Sequence, residues 1–309
     1  MIPRRNGILL VETFTILILN GVLATYMHSH LPTTLFRCCY APLLLFQGLW
    51  YYRIYIVGHE AAHKKLIPAH LLLNEIAGSL VLLPLLTPLN IYRKIHYFHH
   101  GFNRKDPHTS ALDTFVVKGK YRTLKTAYYY VVWYLSVFCG GFFLHSLVSV
   151  ILFLFCPPAL ARKISPAFNG WNYKDQLKAI LLFLAGILIH LWVFTFFGKT
   201  AYLLSLGLPM LVFAWLLSML VYVFHYDTTM GEHVRYNVRS VNRIPVLSWI
   251  LMNFNEHATH HQYPNIPWYR LPENRSELPE EFGNKNQSTR NFFVAVIRQL
   301  KGPHVIYQP

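Results

Sequence analysis

The chain has 309 residues, of which 54% are hydrophobic and only 13% charged. The apolar residues form long runs rather than the patches that surround a soluble core, which argues against a soluble globular enzyme. The formal net charge is +15, but the basic residues are dispersed among loops without a recognition motif, so nucleic acid is excluded as an expected partner.

Four apolar runs have the length that a bilayer span requires, about 20 residues. A fifth run, 71–91, is expected to be re-entrant or interfacial, and a sixth, 127–155, is expected to turn back at Gly140-Gly141. We therefore predict an all-α integral membrane protein, a helical bundle of about four spans in one domain over residues 1–309. The predicted spans are 7–27, 35–57, 179–197 and 201–224, followed by a polar cytoplasmic cap over 253–309.

Basic residues indicate which ends of the spans face the cytoplasm, because Lys and Arg concentrate in short cytoplasmic loops. Residues 4–5 carry two arginines, and the chain becomes basic again at 64–65, 93–125 and 162–178. All four positions can be cytoplasmic only if 71–91 and 127–155 return to the side from which they start. Segment 179–224 then forms a hairpin whose turn, around Lys199, lies on the side of the membrane opposite the cytoplasm. We therefore expect a protein that is integral to the membrane and crosses it several times.

Histidines in three short clusters are the strongest chemical signal in the chain. Positions i, i+3 and i+4 share one face of a helix, so each cluster can aim its imidazoles at a common point. Polar rings are costly in an apolar chain unless something binds them, and neutral imidazole is the commonest metal ligand. The predicted topology places all three on the cytoplasmic side. The clusters contain eight of the 17 histidines: His59 and His63; His96, His99 and His100; His257, His260 and His261.

The residues alone leave the type of metal site open. His59-Glu60-x-x-His63 also matches the zinc metalloprotease pattern, with Glu60 as general base. That interpretation leaves the two HxxHH clusters without a role. A metal transporter should have its ligands at mid-membrane, whereas these clusters lie at span ends. Eight nitrogen donors exceed the capacity of one ion and favour two, but imidazole suits zinc, copper, iron and nickel.

The order HxxxH, HxxHH, HxxHH resembles that of the membrane fatty acid desaturase superfamily, a family of non-haem di-iron enzymes. The resemblance extends roughly over 58–273 and includes the segment QYPNIPWYRLPE at 262–273. It implies two iron ions, held by the eight clustered histidines and by a further ligand after the preceding span, where His225 stands. The implied metal ligands are His59, His63, His96, His99, His100, His225, His257, His260 and His261.

The resemblance also implies a reaction and its partners. Dioxygen is the co-substrate, and electrons from an outside carrier allow hydrogen to be removed from an unactivated C–H bond. Loss of a second hydrogen from the adjacent carbon gives a double bond, whereas oxygen rebound gives an alcohol. The chain has no HPGG motif of a fused cytochrome b5. A separate ferredoxin or cytochrome b5 is therefore the expected electron donor, and a lipid acyl chain in the membrane is the expected substrate.

We call the three histidine clusters the first, second and third box, in chain order. Details of their sequences narrow the choice among the subfamilies that the chain resembles. The first box has three residues between its histidines, which resembles acyl-lipid desaturases or carotenoid oxygenases more than the acyl-CoA delta-9 type. His257 stands where front-end desaturases carry glutamine, and the Pro-Trp-Tyr-Arg-Leu-Pro segment is similar to that of carotenoid enzymes. We predict a fatty acyl desaturase, with a carotenoid ketolase or hydroxylase as the alternative.

Polar residues inside apolar runs are expensive in lipid and are functional candidates by default. For Glu12, His145 and His190 we expect either hydrogen bonds between helices or side chains that snorkel to an interface. Glu75 is left open because it begins the segment between the first two boxes. Trp268 and Tyr269 are the aromatic residues closest to the third box.

Carboxylates near the boxes can accept the second ring N–H of a ligating histidine. The candidates for this role are Glu60, Asp106, Asp227 and Glu256. The histidines outside the boxes in cytoplasmic segments are interpreted as solvated side chains, namely His70, His108 and His233.

Overall fold

The computed structural model describes residues 3–107 and 113–308, and helices dominate it. His108 lies outside the described residues. The predicted all-α membrane class is confirmed. The elements are α1 (Arg4–His30), α2 (Thr33–Ala62), α3 (Leu71–Leu82), α4 (Leu89–Phe102), β1 (Thr114–Lys118), α5 (Arg122–Phe138), α6 (Gly141–Phe155), α7 (Pro158–Ile164), α8 (Tyr173–Tyr202), α9 (Leu208–Val223), α10 (Pro245–Ile250), α11 (His257–Gln262), α12 (Glu280–Asn286), α13 (Phe292–Arg298) and β2 (His304–Gln308).

Among the described residues, two helical segments are long and apolar enough to cross a bilayer, Arg4–His30 and Tyr173–Val223. Two bent helix pairs, α3 with α4 and α5 with α6, raise the number to four if each pair is one span. Helix α2 has 30 residues, but its tyrosines and buried Arg53 make it less apolar. The single domain and the four span limits expected from the sequence stay predictions.

The helical path of segment Tyr173–Val223 is broken at Gly198, where φ is +82° and ψ is 167°. This backbone conformation is open almost only to glycine. His190 Nδ1 lies 3.3 Å from the Tyr202 hydroxyl, 12 residues later. Twelve residues of straight helix would separate two positions by about 18 Å. The contact therefore requires a bend in the helix, which the structure has at Gly198, one residue before Lys199.

Both bent pairs break at residues with positive φ. Helices α3 and α4 are inclined by 94°, and Leu86, with φ +52°, ends the 3-10 turn between them. Helices α5 and α6 are inclined by 88° around Gly140, with φ +79°. The sharp breaks agree with the re-entrant or interfacial segments expected from the sequence.

The chain divides into two compact units, Met1–Ile95 with His145–Leu216 and His96–Leu144 with Leu217–Pro309. In the first unit, Arg53 Nη2 donates to Glu12 Oε2 at 2.6 Å, so α1 and α2 are joined by an ion pair. His190 Nε2 lies 2.9 Å from the Pro84 carbonyl oxygen. The expected interhelical hydrogen bonds of Glu12 and His190 are thus confirmed, whereas His145 lies on an exposed face of α6.

In the second unit, a small core rich in aromatic residues joins α5 to the end of α9 and the residues that follow it. Its buried members are Trp133, Val137, Tyr222 and Tyr226. Strands β1 and β2 form a two-stranded parallel sheet in which Thr114 pairs with His304. Trp133 Nε1 donates to the Gln299 carbonyl oxygen at 3.0 Å, which fixes α5 against the end of α13.

Candidate metal centre

The first box lies at the carboxyl end of α2, in the first unit. His59 is on the last turn of the helix, and His63 is its C-cap residue. Both side chains are buried, and their ring centroids are 4.7 Å apart. The spacing of four residues therefore places both imidazoles on one face, as the sequence predicts.

The second box lies on α4 and meets part of the third box inside the second unit. His100 Nε2 is 3.0 Å from His96 Nε2 and also 3.0 Å from His260 Nε2. The ligand atoms of these three residues all lie within 4.8 Å of one another. At such distances the lone pairs of ring nitrogens repel one another unless a proton or a cation lies between them. Each neutral ring carries only one N–H for this purpose.

A second group forms around His225, the residue that the resemblance implies as the extra ligand. It contains His99, His225, His257 and His261, whose ligand atoms also lie within 4.8 Å of one another. His225 Nε2 is 3.0 Å from His257 Nε2. The structure therefore distributes each of the two HxxHH boxes between both groups, because adjacent histidines point in different directions from a helix.

His261 shows that a metal ion fits this second group. Its side chain is buried, and neither ring nitrogen has a hydrogen-bond partner among the described residues. Buried polar atoms without partners are costly, and a bound cation would satisfy them. Burial lowers the pKa of His225 and His261 well below 6.5, and the neighbouring histidines lower it further. Both shifts favour the neutral ring, which is the form that binds metal.

Comparison with known proteins identifies the family of this chain. The family model described as fatty acid desaturase matches residues 38–293, which is most of the chain. The chain belongs to the fatty acid desaturase family. It is also similar to an omega-3 fatty acid desaturase of the endoplasmic reticulum from Nicotiana tabacum, with 23% identity over 266 residues. The alignment covers 79% of this chain and spans 65% of the length of that relative.

In this desaturase-family chain, the end of the first-box helix is held by polar side chains that the sequence did not single out for this role. Arg93 Nε donates to the Ala62 carbonyl oxygen at 2.9 Å, and its Nη2 donates to that of Ala61 at 3.0 Å. Asn74 Nδ2 donates to the same Ala61 oxygen at 2.9 Å. These bonds satisfy carbonyls that a helix end leaves without partners.

Glu75 completes this arrangement. Its carboxylate accepts from Arg93 Nη2 at 2.5 Å and from Lys178 Nζ at 3.1 Å. Arg93 is therefore oriented by a carboxylate on one side and by two carbonyls on the other. The sequence left the role of Glu75 open; in the structure this carboxylate pairs with Arg93 and Lys178.

A second polar network holds the segment that carries His225. The Arg104 guanidinium pairs with the buried Asp113 carboxylate and donates to the carbonyl oxygens of Thr228 and Thr229, both at 3.0 Å. Thr228 Oγ1 donates to the His225 carbonyl oxygen at 2.8 Å. Arg104 follows the second box by four residues, so this network joins the end of α4 to the His225 turn. Its position just after a box is the one sequence signal that could have found it.

Asp227 and Glu60 are two of the carboxylates expected as partners of ligating histidines. Asp227 pairs with Arg298 at 3.1 Å and with His304 at 3.3 Å, so its nearest partners are groups outside the boxes. Glu60 Oε1 is 3.9 Å from His59 Nδ1, too far for a hydrogen bond.

Glu256 lies directly before the third box and accepts from Asn255 Nδ2 at 3.0 Å. Arg275 Nη1 lies 3.3 Å from the same oxygen. Burial raises the pKa of Glu256, and Arg275 opposes that shift. The described contacts of this carboxylate thus anchor the segment after the third box rather than a histidine ring.

Proposed function

We propose that this chain is an oxygen-dependent fatty acyl desaturase, an oxidoreductase that inserts a double bond into a lipid acyl chain. The observation that carries the proposal is the group of four closely spaced histidines around His225, three of which are buried. Such a donor set suits a redox-active metal. Membership of the fatty acid desaturase family and similarity to an omega-3 desaturase support iron and an acyl substrate.

The proposed ligands fall into two sets. His99, His225, His257 and His261 would hold one iron. The second iron would be held by His96, His100 and His260, and we assign His59 and His63 to complete that set. The pair at the end of α2 supports this assignment, because both rings are buried, adjacent and on one face.

Bound iron would supply the redox chemistry that couples removal of two hydrogen atoms from adjacent acyl carbons to reduction of dioxygen, with two electrons and two protons added, to two water molecules. The protein residues position and shield the site. Phe224 and Phe254 pack on His257, with ring centroids 4.8 and 4.4 Å away. These apolar rings exclude water from the imidazoles, and burial keeps His225 and His261 unprotonated.

The electrons would come from a separate redox protein, a ferredoxin or cytochrome b5. We place the site on the cytoplasmic side of the membrane, because the basic segments that flank the first two boxes favour that side. The substrate would be the acyl chain of a membrane lipid.

Expression in a host of defined lipid and pigment content tests the proposal. Mass spectrometry of both classes should show acyl chains that have lost two hydrogens. Oxygen added to a carotenoid would instead support the ketolase or hydroxylase. The purified protein should contain about two irons per chain, whereas one zinc would support the peptidase.

Matched variants separate the metal site from the fold. His260→Ala should abolish the product while the protein remains folded in the membrane. His233→Ala alters an exposed histidine outside both groups and should leave product formation unchanged. Full activity of His260→Ala would contradict the proposal.

A further inference from the structure

Two neighbouring helices of the second unit present apolar side chains that the unit does not cover. We call this surface the interfacial patch, and it is independent of the histidine groups. Its residues are between 54% and 62% exposed. They are Tyr128, Val131 and Leu135 on α5, and Phe293, Ile297 and Leu300 on or just after α13.

The patch is built from helices that each have one buried and one exposed face. On α5 the exposed positions follow a spacing of three and four residues, and Trp133 and Val137 are buried on the other face. On α13 the buried residue is Ala295. This is the pattern of an amphipathic helix that lies at a boundary between polar and apolar surroundings.

Direct hydrogen bonds keep the two helices side by side. The Tyr134 hydroxyl donates to the Leu300 carbonyl oxygen at 2.9 Å, next to the bond from Trp133 to Gln299. The Thr126 and Tyr307 hydroxyls are 2.9 Å apart, which adds β2 to the same surface. The exposed apolar side chains thus belong to one continuous part of the second unit.

The two segments that form the patch contribute only positive charge. Segments 114–138 and 291–308 contain no Asp or Glu. The basic side chains beside the patch are exposed, so they complement an anionic surface. They are Lys118, Lys120, Arg122, Lys125 and Lys301.

We propose that the interfacial patch lies in the headgroup region of the bilayer in which the protein sits. The apolar side chains would enter the acyl boundary, and the lysines would face anionic headgroups. Lipid is the occupant that the protein already contacts, and the 88° turn between α5 and α6 suits a chain that passes from a membrane-crossing direction to a surface direction. Residues 291–308 would then lie in the interface, rather than in a purely cytoplasmic cap.

Nitroxide accessibility in the intact protein tests this placement. Cys38, Cys39 and Cys139 are exposed and would be replaced by Ser, while the buried Cys156 is kept. A label at Ile297→Cys is compared with one at Asn284→Cys, an exposed position on the polar helix α12. Both proteins are placed in nanodiscs of phosphatidylcholine, with and without phosphatidylglycerol.

The label at position 297 should collide with oxygen, which concentrates in lipid, severalfold more than with a water-soluble nickel chelate. The label at 284 should show the opposite preference. Without phosphatidylglycerol, or in Lys118→Gln/Lys120→Gln/Lys125→Gln, the oxygen preference at 297 should decrease.

Equal nickel accessibility at 297 and 284 would overturn the proposal. Shielding of 297 from both reagents would also overturn it, because a protein partner would then cover the patch. None of these outcomes depends on iron or on desaturase activity.

Discussion

At the scale of single residues, the spacing of histidines was enough to predict the box members, because i, i+3 and i+4 positions converge whatever the rest of the fold does. It was not enough to predict how they are grouped. His99 and His100 are adjacent in the chain but belong to different groups. His225 has no cluster of its own, so only the family resemblance could identify it. Its contacts with His257 depend on a tertiary fold that local spacing does not encode.

His261→Ala tests the metal site through stability rather than activity. In the metal-free protein the change removes a buried imidazole whose nitrogens have no hydrogen-bond partner among the described residues, so the cost of the lost volume is partly offset. We expect a small change in Tm without metal. The increase in Tm on iron loading should shrink strongly, because binding to the native state is weakened. Differential scanning fluorimetry with and without Fe²⁺ measures both values, and an unchanged increase would rule out His261 as a ligand.

At the scale of helices and turns, the sequence predicts where apolar runs begin and end but not how their ends are satisfied. The carbonyls at the end of α2 are held by Arg93 and Asn74, which are 31 and 13 residues away from their partners. No local sequence pattern predicts such hydrogen bonds. The break at Gly198 is likewise invisible in hydropathy, because the apolar run continues on both sides.

Arg93→Lys should disturb the first box without removing the positive charge. Lysine can pair with Glu75, but it lacks the planar fork that reaches two carbonyls at once. Loss of hydrogen bonds from a charged donor typically costs about 1.5–3 kcal/mol each. We expect a lower Tm and less bound iron per chain.

Arg162→Lys is the matched control, because Arg162 Nη1 also donates to a carbonyl in the first unit, that of Trp171 at 2.6 Å. It should lower Tm without lowering the iron content of the remaining folded protein. Equal iron loss in both variants would show that Arg93 acts only through general stability.

Gly198→Ala tests the break in the helical segment Tyr173–Val223. A Cβ at this position would meet no described atom within 4 Å, so any effect comes from the backbone conformation. Holding a non-glycine residue in this region costs about 1–3 kcal/mol. Chemical unfolding in detergent should show that loss. Gly101→Ala on α4 also meets no described atom but has no positive φ, so it should be neutral or stabilising.

At the scale of the whole molecule, composition and the length of apolar runs predicted the all-α membrane class, because a bilayer permits few alternatives to helices. The division into two units was not predicted. Each unit combines an early and a late part of the chain, and hydropathy reports only on neighbours in sequence. The short parallel sheet of β1 and β2 was missed for the same reason, since its strands are almost two hundred residues apart.

The discontinuous second unit also sets the order of events during biosynthesis. His100 and His260 lie side by side but are separated by 160 residues. At about 5–20 residues per second, a ribosome needs roughly 10–30 s to make the intervening polypeptide. The imidazoles made first must therefore wait until the intervening residues have been synthesised. A metal ion bound by both His100 and His260 could therefore enter its site only after residue 260 has been made.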